Sequence, residues 1–174
     1  GGWCDASSRA FTVKLEGGLP DALPMPTSGA ACFSPDGKRI VYSPLFRDFR
    51  TWKRYEGGWA QDLFVLDLDS LEWRNITSHV RTDRDPLWIG EGIYFVSDRT
   101  GTLNLYRYDL KSGATQQETF STKWDVRWPG ASPDGAVVFE MAGELHIFDT
   151  GTRAVRKIEI QVPADDLVSR AGVS

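Results

Sequence analysis

The chain has 174 residues, 41% of them hydrophobic with seven Trp and nine Phe, and a formal net charge of −4. That is enough apolar material for the core of one ordinary domain. The acidic balance disfavours a nucleic-acid surface, which usually needs a basic stripe, and no apolar run approaches the 18 residues of a membrane-spanning helix.

Residues 1–28 predict the outer strands of an incomplete repeat unit. Arg9 to Leu15 reads as a strand, and Leu19 to Pro26 as an edge strand, where Pro20, Pro24 and Pro26 lose no needed amide donor. The chain opens Gly1-Gly2 without methionine and carries no secretory pattern, which favours a cytoplasmic chain that continues upstream. Cys4 and Cys32 make no disulfide framework, and Cys32, in the apolar stretch Ala30-Ala31-Cys32-Phe33, predicts a free buried thiol.

A fuller unit spans residues 29–80. It opens with Phe33-Ser34-Pro35-Asp36-Gly37, runs on through Ile40-Val41-Tyr42, resumes at Leu63-Phe64-Val65-Leu66-Asp67-Leu68 and closes at Trp73 to Thr77. Ser-Pro-Asp-Gly is turn chemistry: Pro presets φ, Asp bonds its own backbone and Gly accepts positive φ. The unit returns over 81–122, with Ile89 to Phe95 in the opening slot and Leu105 to Leu110 as the second half. It returns again over 123–162, with Ser132-Pro133-Asp134-Gly135 and Leu145 to Thr150. Asp67, Asp109 and Asp149 recur at intervals of 42 and 40 residues, at a strand end, as turn-capping carboxylates would. Residues 163–174 read as a tail or linker.

Four short strands per unit at a period in the forties define a β-propeller blade. With no helical periodicity anywhere, the fold class is all-β: a partial β-propeller of about three and a half four-stranded antiparallel blades. Closed rings need four to eight blades. The end blades would therefore expose apolar faces, which two copies could cover as a homodimer closing head to tail into seven blades.

One insertion departs from the repeat, the loop 44–61. Within it Arg47, Arg50, Lys53 and Arg54 alternate with Phe46, Phe49, Trp52, Tyr55 and Trp59. Loops this long inside a compact repeat are usually functional or mobile. The candidate binding residues are Arg47, Arg50, Trp52, Lys53, Arg54, Tyr55 and Trp59. Cations between rings suit a peptide or protein, a single nucleic-acid strand, a small ligand, or merely cation-on-ring packing over the propeller face.

Sites for other chemistry do not assemble. Of the two histidines, His146 reads as a packed strand residue and His79 as a loop residue, and no nucleophile elbow accompanies them. Asp83-Arg84-Asp85 and Asp67-Leu68-Asp69 lack the glycine and distal glutamate of a calcium loop, and no cofactor or metal is expected. Gly90-Glu91-Gly92 sits between strands without a following helix, unlike a phosphate loop. Asn75-Ile76-Thr77 matches a glycosylation sequon within a predicted strand, a coincidence of spelling. A lactonase-type or carbohydrate-active propeller would need convergent carboxylates, histidines or a metal at the inner-strand ends, and no such cluster appears.

The stretch from Arg47 to Leu63 closely resembles the amino-terminal propeller of tricorn-type proteases. So do Arg84-Asp85-Pro86-Leu87-Trp88, Ile93 to Asp98 and Val155 to Ile160, and the likeness extends from about Phe11 to Asp166. The Ser-Pro-Asp-Gly units alone are less specific, being shared with TolB-like and WD-like propellers. The resemblance implies a large cytoplasmic peptidase whose six-bladed first propeller precedes a seven-bladed one, a PDZ module and a serine catalytic core, the propellers channelling or filtering peptides. None of the catalytic segments matches here, so no catalytic residue transfers, and a peptide-binding or gating scaffold is the expectation.

Overall fold

The computed structural model describes residues 8–45, 56, 60–132 and 134–161. Every regular element among them is a strand. A two-stranded sheet joins β1 (Phe11–Thr12) to β2 (Asp21–Ala22), and three four-stranded sheets follow. The first is β3 (Ala31–Phe33), β4 (Arg39–Tyr42), β5 (Phe64–Asp67) and β6 (Trp73–Asn75). The second is β7 (Asp83–Ile89), β8 (Gly92–Ser97), β9 (Asn104–Asp109) and β10 (Thr115–Gln117). The third is β11 (Arg127–Ala131), β12 (Ala136–Met141), β13 (Glu144–Asp149) and β14 (Val155–Lys157). Each is an antiparallel meander in chain order. This is the all-β, bladed architecture that the repeat implied.

Strand alternation builds the core. On β8, Ile93 and Phe95 join Val41, Val65 and Trp88 between the first and second four-stranded sheets. Their neighbours Tyr94 and Val96 turn the other way and meet Val137, Phe139 and Phe148 of the third. On β4, Val41 faces the second sheet, while Ile40 and Tyr42 cover Ala10, Leu23 and Met25 beside the two-stranded sheet. A period of two thus gives each blade two apolar faces, and the core lies between blades rather than inside one. The inner strand β7 sits between β3 and β11.

The turns carry the predicted chemistry. Gly37 and Gly135, at φ 70° and 87°, donate back to Ser34 O and Ser132 O over 2.9 and 3.0 Å. Asp109 Oδ1 accepts from Lys111 N (3.1 Å), Ser112 N (2.8 Å) and Ser112 Oγ (2.9 Å). Asp67 Oδ1 repeats the pattern with Asp69 and Ser70, and Asp149 Oδ1 with Gly151 and Thr152. Cys32 is a free thiol, as expected, but half-buried rather than buried; its sulfur receives the Trp88 N–H (3.2 Å) at the seam with β7.

Two inner strands hold a feature that the repeat did not foretell. β7 is bulged between Arg84 and Leu87, and β11 between Arg127 and Gly130. Each bulge encloses a proline, Pro86 or Pro129, which has no amide to give to the ladder. The residue before each proline stands at positive φ: Asp85 at 53° and Trp128 at 47°.

Candidate functional site

Register places one set of connections at a common end of the blades. Tyr42, at the end of β4, pairs with Phe64 at the start of β5, and Phe64 with Asn75 at the end of β6. Asp83, opening β7, pairs with Ser97 at the end of β8. Hydrogen bonds tie neighbouring sheets at that end: Asp83 N donates to Gln61 O (2.7 Å), and Val126 N to Leu103 O (2.8 Å). The 44–61 loop therefore leaves and rejoins its blade on the face that also carries the β6–β7 and β10–β11 connections.

The root of the loop is well tied. Ser43 Oγ donates to Leu45 O (3.2 Å), and the Gln61 side-chain amide donates to the same carbonyl. Glu56 reaches Arg81 on the β6–β7 connection, 2.6 Å apart. Two buried acceptors near this root, Gln61 Oε1 and Asp62 Oδ1, have no hydrogen-bond partner. The seven candidate binding residues, Arg47, Arg50, Trp52, Lys53, Arg54, Tyr55 and Trp59, lie outside the described residues.

Beside the root lies a buried ion pair. Arg99 Nη2 donates to Asp83 Oδ1 and Oδ2 at 2.9 and 2.8 Å, and the Asp83 side chain is fully buried. The guanidinium also lies over the Tyr106 and Phe95 rings, 4.9 and 5.5 Å from their centroids. Burial pushes the Asp83 carboxyl above its ordinary pKa, against the pull of Arg99 and Ser97. Asp98 Oδ1 takes the Thr82 N–H (3.1 Å). This network locks β7 onto β8 and β9. It was missed in the sequence because its partners stand 16 residues apart, and only strand register brings them together.

The remaining candidates fall into structural places. His146 is buried on β13 and stacks on Phe139, 5.6 Å between centroids at 11°. His79 lies in the β6–β7 connection, where Nδ1 accepts from Arg81 N (3.1 Å). The Asn75 amide of the sequon donates to Asp62 Oδ2 (3.0 Å), and its carbonyl accepts from Thr77 N (3.0 Å). Among the described residues no cluster of three or more His, Cys, Asp or Glu could hold a metal ion. Among the described residues no helix is long and apolar enough to cross a membrane.

On the β10–β11 connection and the start of β11 sits a group that the sequence reading passed over. Phe120, Trp124 and Trp128 are 73%, 51% and 64% exposed. Lys123 Nζ lies 5.1 Å over the Trp124 ring, and Arg127 reaches Asp125 at 3.5 Å. Their spacing resembles the alternation in the 44–61 loop, which was the available signal.

Four-stranded antiparallel meanders packed face to face, with their inner strands β3, β7 and β11 side by side, define a β-propeller protein. The family model of the tricorn protease N-terminal β-propeller domain matches residues 2–154, and the chain belongs to that family. It is 28% identical over 159 residues to a tricorn protease homolog of Saccharolobus solfataricus, covering 91% of this chain and 14% of that protein. It is 31% identical over 144 residues to tricorn protease homolog 1 of Streptomyces coelicolor, covering 82% and 13%. The chain thus spans about one seventh of the curated relatives it matches. Among solved structures, TolB from Acinetobacter baumannii aligns with a TM-score of 0.66 at 24% identity, over 84% of this chain and 36% of that one. The tricorn protease crystal structure aligns with a TM-score of 0.58 at 20% identity, over 91% and 21%.

Proposed function

We propose that this propeller is a non-catalytic, peptide-binding and substrate-gating scaffold of a cytoplasmic tricorn-like protease. The observation that carries the reading is the 44–61 loop: its root is tied by Leu45, Gln61 and the Glu56–Arg81 pair at the end of the blades where the inter-blade connections gather. Its alternating cations and rings suit an extended chain bearing carboxylates and apolar side chains, with Arg50 and Trp52 at the centre of the loop. Bond cleavage would belong to other parts of such a protease.

The test is fluorescence anisotropy with a labelled, terminally capped peptide of about ten residues mixing glutamate and leucine. The native chain binds it, and the double variant Arg50→Glu, Trp52→Ala weakens binding by about tenfold or more. Equal binding by native and variant chains would refute the loop's role. A single-strand binder would instead prefer an oligothymidine and lose affinity steeply with salt.

A further inference from the structure

The β10–β11 connection crosses the same end of the blades, and its backbone is held at nearly every step. Ser121 N donates to Asn104 Oδ1 (2.8 Å), Asn104 Nδ2 to Ser121 O (2.9 Å), and Thr102 Oγ1 to Thr122 O (3.2 Å). Trp124 N donates to Ser121 Oγ (3.1 Å), while Asp125 Oδ1 accepts from Leu103 N (3.2 Å) and Val126 is fully buried. Phe120 and Trp124 on this loop and Trp128 on β11 remain more than half exposed, and aromatic side chains carry much of the energy of an interface. Trp128 also holds a φ of 47°, which is costly for a bulky side chain, at a bulge of the kind that re-aims a side chain.

The two cations of this segment are less closely paired than others among the described residues. Lys111, Lys157 and Arg153 each close on a carboxylate within 2.9 Å. Lys123 makes no ion pair among the described residues and lies over Trp124 instead. Among the described residues Arg127 reaches Asp125 at 3.5 Å, and Asp125 also accepts from the Leu103 amide.

We propose that Phe120, Lys123, Trp124, Arg127 and Trp128 form a docking surface for an acidic peptide segment. Apolar side chains of the peptide lie against the rings, and its carboxylates meet Lys123 and Arg127. Because the platform is already fixed, little ordering cost opposes binding. Two cations, Lys123 and Arg127, are too few for the basic stripe that a nucleic-acid surface needs. This rests on the peptide-binding reading above and adds a second surface at the end of the blades where the 44–61 loop is rooted.

The same capped glutamate–leucine peptide tests it on the full chain. Trp124→Ala and Lys123→Glu are each expected to raise its Kd about tenfold, while Trp73→Ala, an exposed tryptophan on β6, leaves it unchanged. A lysine–leucine peptide is expected not to bind. Circular dichroism melts check folding, and Lys123→Glu, which alters no ring, keeps the test open if Trp124→Ala is unstable. Unchanged affinity in both variants, with loss only in the Arg50, Trp52 double variant, overturns this surface and leaves the loop reading standing. Equal binding of the lysine peptide, or displacement by an oligothymidine, overturns the acidic-peptide assignment. No binding by the native chain overturns both readings.

Discussion

Asp109 shows how one side chain can fix a turn. Two backbone amides and a hydroxyl converge on a single carboxylate oxygen, and Arg107 Nη2 donates to the other at 2.8 Å. The Ser112 amide and hydroxyl, followed by Arg107, hold the carboxyl at a pKa of about 2, below its ordinary 3.8. A depressed native pKa stabilises the fold above the unfolded value, and that stabilisation is lost as pH falls through the native one. Asp109→Asn keeps an acceptor but removes the charge. Its melting temperature is therefore expected to fall below the native chain's at pH 7, with the gap closing between about pH 4 and pH 2. A gap independent of pH, in melts followed by circular dichroism, would refute the charge argument. Asp83 has the opposite sign: its raised pKa means that protonation is easier in the folded chain. Removing it strands the Arg99 guanidinium, so Asp83→Ala is expected to cost about 3–5 kcal/mol in urea unfolding at pH 7. The capping aspartates were legible because recurrence at one point of a repeat leaves few other roles. The Asp83–Arg99 pair was not, since Asp83 beside Arg84 and Asp85 offered only a failed calcium spelling.

At the scale of the element, the blades were readable where turn and strand chemistry agree. Ser-Pro-Asp-Gly, the alternating apolar runs and the Asp-capped turns each pointed to one strand or one turn. The strands expected over Arg9 to Leu15 and Leu19 to Pro26 came out shorter, with two residues each in β1 and β2. The bulges were hidden, although Arg84-Asp85-Pro86 and Arg127-Trp128-Pro129 are a repeat of their own, because a proline inside a strand reads first as an edge. Two strained positions give predictions. In the two-residue β12–β13 turn, Ala142 and Gly143 stand at φ 60° and 79°, the geometry that favours Asn-Gly. Ala142→Asn should raise stability by about 1 kcal/mol, read as a higher urea midpoint; no change would mean that the turn relaxes at little cost. Trp128→Gly relieves strain at a position with little packing to lose, so it should gain a similar ~1 kcal/mol while weakening peptide binding. Such a trade fits a residue kept for its surface, and a loss of stability would indicate packing that its exposure conceals.

For the whole molecule, stability resides in the seams between blades. Phe139 is 1% exposed and packs with Phe148 and Val137 against Tyr94, Val96 and Leu105 of the neighbouring sheet. Phe139→Ala should cost about 3–5 kcal/mol and release the third four-stranded sheet first, seen as early loss of amide protection in β12 and β13 during hydrogen exchange. Among the described residues, the two ends of the stack lack such seams. Phe11, Val13, Leu15 and Leu19 are 56–101% exposed at one end, and Leu145 and Val155 are 38% and 42% exposed at the other. Apolar faces of this kind associate when nothing covers them, and head-to-tail contact between two copies would continue the blade stacking toward a closed ring. Light scattering on a sizing column is therefore expected to give a mass that rises with concentration from 19.5 kDa toward twice that value. Substituting Leu15 and Leu19 with glutamate should hold it at the lower figure. A concentration-independent mass of one chain would instead mean that the end blades are stable as they stand, with about 25 cal/mol forgone for each Å² of apolar surface left in water.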